Sequence, residues 1–249
     1  MSRVAAILSL GLAACAHDRA FDRGEAGALK NTSPAISPWP GPVADPVAAD
    51  APAVAVIDRV HGMAVQVFAA TSTEKINAFP GVLVGDGLVL TDLRGLQVAG
   101  PGGDLQPAAE IAVLTTQGIF PARVVDAALD ADVAVLELPE GARSLEGPPL
   151  GEGTSGDQLL ALRASKQGPA LLLEVIGFSI RRPEDPLGLS SARGLPLSFA
   201  GAPVFDAGGA LAGLLVSPSE HDIVLVPSAR LVQILASVHS PAPQVGDHI

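Results

Sequence analysis

Tyrosine is absent from these 249 residues, cysteine and tryptophan occur once each, and methionine occurs twice. The lone cysteine, Cys15, excludes a disulfide within the chain, so oxidative cross-linking contributes nothing to the fold. With seven Phe the only other aromatics, a composition that is 48% hydrophobic must build its core mostly from Val, Leu, Ile and Ala. Cations are scarce as well. Fifteen Lys and Arg against 26 Asp and Glu leave a net charge of -11 and a pI near 4.7. Neutralising a phosphate backbone takes clustered Lys and Arg, so nucleic acid is excluded as a partner class. The five histidines, His17, His61, His221, His239 and His248, are scattered, and no pair has metal-ligand spacing. A zinc site needs several convergent ligands, so neither a metal nor any other cofactor is expected. Each of these histidines reads as a solvated or packed residue.

What is present begins at the N-terminus. Met1-Ser2-Arg3 and the apolar run Val4 to Ala14 form a charged n-region and h-region of secretory type. That run is too short to span a bilayer as a stable helix. Leu12-Ala13-Ala14-Cys15 resembles the bacterial lipobox, which implies removal of residues 1–14 and lipidation of Cys15 as the mature N-terminus. Ala16, rather than Asp, follows the cysteine and favours the outer membrane. An ordinary signal peptide that happens to contain Cys is the alternative. Residues 15–52 are rich in Ala and Pro, with Pro34, Pro38, Pro40, Pro42, Pro46 and Pro52, and read as a semi-extended tether. Trp39 within it is a stray linker aromatic or a docking anchor. Residues 53–239 form the expected folded domain, a length that suits one all-β unit. Residues 240–249, with Pro241 and Pro243, read as a disordered tail.

Inside the domain, Val54, Ile57 and Val60 suggest a short helix, after which short Val- and Leu-rich runs alternate with turn residues, the pattern of an all-β sandwich or barrel. The runs 63–69, 81–84, 88–90, 111–115, 120–126 and 133–138 make a first set of strands. A second set comprises 158–163, 171–180, 202–205, 210–216 and 222–226. Gly85-Asp86-Gly87 and Thr116-Gln117-Gly118 carry the residues that tight hairpins demand. Pro203 fits a strand start or edge, where no ladder donor is lost. The continuous apolar run Ala210 to Val216 suits a strand buried on both faces. Ser228 is placed to cap a closing helix whose Leu231, Val232 and Leu235 face the barrel. Gly151-Glu152-Gly153-Thr154-Ser155-Gly156 matches a bare G-x-G-x-x-G, but it follows prolines rather than a strand and fails as a dinucleotide fingerprint. Arg181-Arg182-Pro183-Glu184-Asp185-Pro186 is a charged turn, solvated unless a partner meets it.

Three phrases, in order, carry a family resemblance. Gly81 to Leu96 contains Leu90-Thr91-Asp92-Leu93-Arg94, Ala131 to Leu138 contains Ala131-Asp132-Val133-Ala134, and Ser198-Phe199-Ala200-Gly201-Ala202-Pro203-Val204-Phe205 follows. They resemble the histidine, aspartate and serine phrases of trypsin-like serine peptidases, most closely the HtrA (Deg) branch. Pro149-Leu150-Gly151, Gly156-Asp157-Gln158 and the closing helix extend the likeness over roughly residues 53–238. The PDZ domains that follow in that branch have no counterpart expected here. The resemblance implies an all-β fold of two six-stranded β-barrels with a short N-terminal and a C-terminal helix. It places the catalytic histidine at Arg94, the aspartate at Asp132, the serine at Ala200 and the oxyanion-hole glycine at Ser198.

Such a peptidase needs a hydroxyl nucleophile, an imidazole base, an orienting carboxylate and backbone donors for the oxyanion. On this mapping the chain keeps only the carboxylate, because a methyl group cannot attack a carbonyl and guanidinium does not give up its proton. No catalytic residue is therefore expected at Arg94, Asp132, Ala200 or Ser198. Since an unpaired buried carboxylate is costly, Arg94 and Asp132 are expected to form an ion pair. The resulting expectation is an inactive, lipid-anchored, periplasm-facing lipoprotein that binds a protein or extended peptide between its barrels. An active endopeptidase of envelope quality control with a non-standard site, and a purely structural envelope lipoprotein, are the rival readings.

Overall fold

In the computed structural model of the chain, residues 51–70, 76–99, 105–142, 146–151, 159–167, 170–178, 190–192, 195–219 and 221–239 are described. The signal, Cys15, the tether, the tail and the Arg181-Arg182 turn lie outside them, as does the glycine-rich stretch beyond Gly151. The first half runs α1 (Ala51–Val60), β1 (Ala64–Ala70), β2 (Ile76–Gly85), β3 (Leu88–Asp92), β4 (Gln97–Ala99), β5 (Leu105–Pro107), β6 (Glu110–Thr115), β7 (Gly118–Ala128) and β8 (Val133–Glu137). The second contains β9 (Leu159–Gln167), β10 (Ala170–Phe178), β11 (Ser190–Ser191), β12 (Pro203–Phe205), β13 (Leu211–Val216), β14 (Val224–Pro227) and α2 (Ser228–His239).

The first half closes on itself as a six-stranded barrel in the order β1-β2-β3-β8-β7-β6, with β4 and β5 paired as a separate hairpin. Its tight corners follow from turn chemistry. Between β2 and β3 the two loop residues, Asp86 (φ 51) and Gly87 (φ 72), both take positive φ, the requirement of a hairpin turn that matches strand twist. At the β6–β7 corner Thr115 Oγ1 accepts from the Gln117 amide at 3.0 Å and donates to the Gly118 carbonyl at 3.2 Å.

The second half is a six-stranded sheet in the order β10-β9-β12-β13-β14-β11. Among the described residues no pairing joins its end strands, and residues 179–189 between them are not described. Pro203 opens β12, so its missing N–H falls at a strand start. The Asp206 carboxylate organises the next corner, accepting from the Gly208 and Ala210 amides at 2.8 and 2.9 Å.

Side-chain alternation partitions the core. Val89, Ala134 and Leu136 fill the barrel, while Leu88, Leu90, Val133 and Val135 point the other way to meet Leu214 and Val216 of the second sheet. Ala212, Leu215 and Leu225 use that sheet's remaining face to bury Phe199. Every residue of β13 is buried, as its continuous apolar run requires.

Both helices cap the junction, with faces that differ from the expected ones. In α1 the buried residues are Val56 and Val60, whereas Val54 is exposed. In α2 Leu231 and Ile234 are buried and Leu235 and Val238 pack against the same cluster, an i, i+3, i+4, i+7 stripe. Val232 lies one step off that stripe and is exposed. The Ser228 hydroxyl, expected to cap this helix, donates instead to the Gly151 carbonyl and ties α2 to the connection between the two halves.

Candidate functional site

A cleft of about 540 Å³ runs between the barrel and the second sheet. The structure brings Arg94, Ser198 and Ala200 to its walls, together with Asp92 and Ser217, while Asp132 is not part of the lining.

The loop bearing Ala200 is set against the barrel by its neighbour. Gly201 takes φ 89, and a Cβ there would stand 2.2 Å from the Pro80 carbonyl oxygen, so only glycine permits the approach. The Thr91 hydroxyl, 0% exposed, donates to the same carbonyl at 2.7 Å. Upstream, Leu197–Phe199 wind into a 3₁₀ turn in which the Ala200 amide donates to the Leu197 carbonyl at 2.9 Å. The Gly201 amide is also consumed, by the Leu215 carbonyl at 2.7 Å. An oxyanion pocket needs donors aimed at an incoming oxygen, and the Ala200 amide, one of them on the sequence mapping, is spent inside the protein. Arg163 on β9 braces the loop from the far wall: its guanidinium lies 5.8 Å from the Phe199 ring centroid, pairs with Glu174 at 3.0 Å and reaches the Ser198 carbonyl at 3.4 Å.

On the barrel side, Arg94, itself exposed, opens a 3₁₀ turn, Arg94–Leu96, that ends on buried Leu96. The expected ion pair to Asp132 is not made: no salt bridge joins the two, and the chain is instead closed there by the Leu93 amide donating to the Asp132 carbonyl at 2.8 Å, with Asp132 itself at φ 51. The Asp132 carboxylate is partly buried, and Arg94 acts on it only through space. Burial raises the Asp132 carboxyl above its ordinary range, an effect the Arg94 charge opposes.

The buried carboxylate of the site is Asp92, which carries no assigned role in the sequence-based mapping. It is 3% exposed, and its two oxygens accept from the Gly95 amide and from the Ser217 amide, each at 2.9 Å. Desolvation pushes its carboxyl up to about 6; the two amide donors and Arg94 pull it down, while Asp132 raises it further. A sequence signal for it exists: an acidic residue closing the wholly buried strand Leu88-Val89-Leu90-Thr91-Asp92. Ser217 follows β13, and its hydroxyl donates to the Ser219 carbonyl at 2.5 Å, so it is engaged by its own turn rather than by a base. Of the histidines, His61 is hydrogen-bonded to the Asp58 carbonyl at 2.8 Å and His221 is exposed; neither lines the cleft. Among the described residues no group of His, Cys, Asp and Glu is placed to hold a metal ion.

No protein-family profile and no curated protein matches this chain. Solved structures do. A serine endoprotease from Yersinia pestis is similar at TM-score 0.58 and 19% identity, covering 74% of this chain and 65% of that one. The HtrA-type protease AlgW, solved with a tripeptide, is similar at TM-score 0.57 and 18% identity over 74% of this chain and 62% of that one. The same protease with a decapeptide gives 0.56 and 16%, over 74% and 66%. This chain thus spans about two thirds of the length of these proteases. At such identity the likeness shows the fold, which is the trypsin-like serine protease fold.

Proposed function

We propose that this chain keeps the cleft of a trypsin-like protease and uses it to hold an extended polypeptide without cutting it. The observation that carries this reading is the state of the Ala200 loop, whose Ala200 amide donates to the Leu197 carbonyl; on the sequence mapping a methyl stands there in place of the nucleophile. Among the described residues no imidazole lines the cleft, and Arg94 stands where the sequence mapping puts the base. The cleft nevertheless stays open and mixes apolar walls, Ile76, Phe79 and Leu105, with backbone and side-chain polar groups, the combination that ligand sites use. Peptide occupies the AlgW structures that share the fold. In the same proposal residues 1–14 are a lipoprotein signal, lipidated Cys15 anchors the chain at the outer membrane facing the periplasm, residues 15–52 tether the domain of 53–239, and 240–249 form a tail.

An activity-based fluorophosphonate probe tests the catalytic part, with no labelling expected of the purified chain. Labelling lost in Ser198→Ala would establish the rival active endopeptidase. Titration of a fluorescent unfolded polypeptide tests the binding part, with saturable binding expected; its absence would favour the structural lipoprotein. Mass spectrometry of the mature N-terminus should find diacylglycerol on Cys15.

A further inference from the structure

Arg94 is a cation on the cleft wall that grips nothing of its own chain. Among the described residues its guanidinium has neither a salt bridge nor a hydrogen-bond partner. Arg163, the other cation on the lining, is spent on Glu174, the Ser198 carbonyl and the Phe199 ring. We propose that Arg94 is the carboxylate-binding residue of the cleft, holding an acidic side chain or the C-terminal carboxylate of an extended polypeptide. The proposal rests on the polypeptide-binding reading of the cleft and names the chemistry that the cleft selects.

The turn that carries Arg94 is fixed at several points. Its last residue, Leu96, is buried, and the Gly95 amide donates to Asp92 Oδ2 at 2.9 Å. Asp92 Oδ1 in turn accepts from the Ser217 amide of the second half, also at 2.9 Å. Gly95 lies so close to Phe79 that a Cβ there would stand 2.6 Å from the ring. An arginine on a fixed backbone has less freedom to lose when it closes on a ligand. Its planar fork offers paired N–H donors that match the two oxygens of a carboxylate. The chain's own acids leave that fork open. Asp92 has both oxygens engaged by amides and Asp132 is not part of the lining, so each acts on Arg94 only through space. Acids farther away than a Debye length, about 8 Å at physiological ionic strength, are largely screened.

The surroundings of Arg94 fit a polypeptide rather than a small anion. β2 pairs with β1 along one edge from Ile76 onward, but with β3 along the other only over Gly81–Gly85. Among the described residues that second edge therefore has no strand partner over Ile76–Phe79, and all four of these residues line the cleft. An extended chain can lie along such an edge, with apolar side chains against Ile76, Phe79, Leu105 and Leu197. A carboxylate within that chain, or at its end, then meets the one guanidinium of the lining that is not already engaged.

The test is anisotropy titration of the full chain with short peptides of Ala, Leu and Ser that carry an uncharged fluorophore on the N-terminus. One has a central Glu and an amidated C-terminus, a second has Gln in its place and a free C-terminal carboxylate, and a third has Gln and an amidated C-terminus. At least one of the first two should bind about two- to fivefold more tightly than the third, the range of a solvent-accessible ion pair. Which of them does so identifies the source of the carboxylate. Arg94→Gln should erase the preference, and Arg94→Lys should keep part of it, since a point charge replaces the fork. Arg123→Gln removes an exposed cation that pairs with Glu137 outside the cleft, and should leave the preference intact. Equal binding of the three peptides, a preference that survives in Arg94→Gln, or one lost equally in Arg123→Gln would overturn the proposal and leave the polypeptide reading in place. Binding of none of them would overturn both.

Discussion

A buried carboxylate held by two neutral amides makes the folded state depend on pH in a direction opposite to the usual acidic residue. Asp92 sits at about 6 when folded and near 3.8 when unfolded, so the native state takes up the proton more readily. Its contribution is fully present below the unfolded value and is lost as pH rises through about 6. The stabilisation given up between pH 4 and pH 7 is on the order of 3 kcal/mol. Denaturant unfolding at the two pH values should show that loss in the wild type and little of it in Asp92→Asn. The variant keeps one acceptor for two amides, so its level at neutral pH is set by the removed charge against one orphaned donor, about 1–3 kcal/mol. At Gly201 the conflict is steric. Gly201→Ala should cost about 2–4 kcal/mol, because a Cβ meets the Pro80 carbonyl at 2.2 Å and the backbone is left-handed. Equilibrium unfolding checks it, and a loss below about 1 kcal/mol would mean that the loop relaxes away from the barrel. At this scale the sequence was legible where a residue type is demanded and not where it is merely allowed. Arg94 and Ala200, singled out by their phrases, reach the cleft walls, but Asp92 owes its raised carboxyl to burial, which no local pattern announces.

Elements were legible in proportion to their apolar periodicity. The barrel strands and β13 stand where Val- and Leu-rich runs put them, with ends moved by a few residues. The β4–β5 hairpin and the two-residue β11 were missed, since three exposed residues in Leu105-Gln106-Pro107 carry no alternation to read. In α2 Leu231 and Leu235 face the core as expected and Val232 does not, because Val232 and Leu231 are equally apolar and only docking against β13 and β14 chooses between them. That choice has a measurable consequence. Leu231→Ala should destabilise by about 2–5 kcal/mol, the cost of a cavity at a 0% exposed position. Val232→Ala, at 45% exposure, should stay within about 0.5 kcal/mol. Thermal unfolding of the pair checks the phase, and equal losses would contradict it.

For the whole molecule, fold and chemistry part company. The barrel and the second sheet hold together through apolar clusters that include none of Arg94, Asp132, Ser198 and Ala200, where the sequence mapping places a protease's machinery. On that mapping a guanidinium at Arg94, a methyl at Ala200 and a 3₁₀ turn that consumes the Ala200 amide are compatible with the fold. Restoring a hydroxyl alone should not restore hydrolysis, because Ala200→Ser supplies neither the imidazole nor the oxyanion donors. The central claim is that the cleft holds polypeptide and leaves it whole. Mass spectrometry of an unfolded polypeptide recovered from its complex with the purified chain after prolonged incubation tests this most directly. The account predicts recovery of bound, full-length polypeptide; new termini that disappear in Ser198→Ala would contradict it.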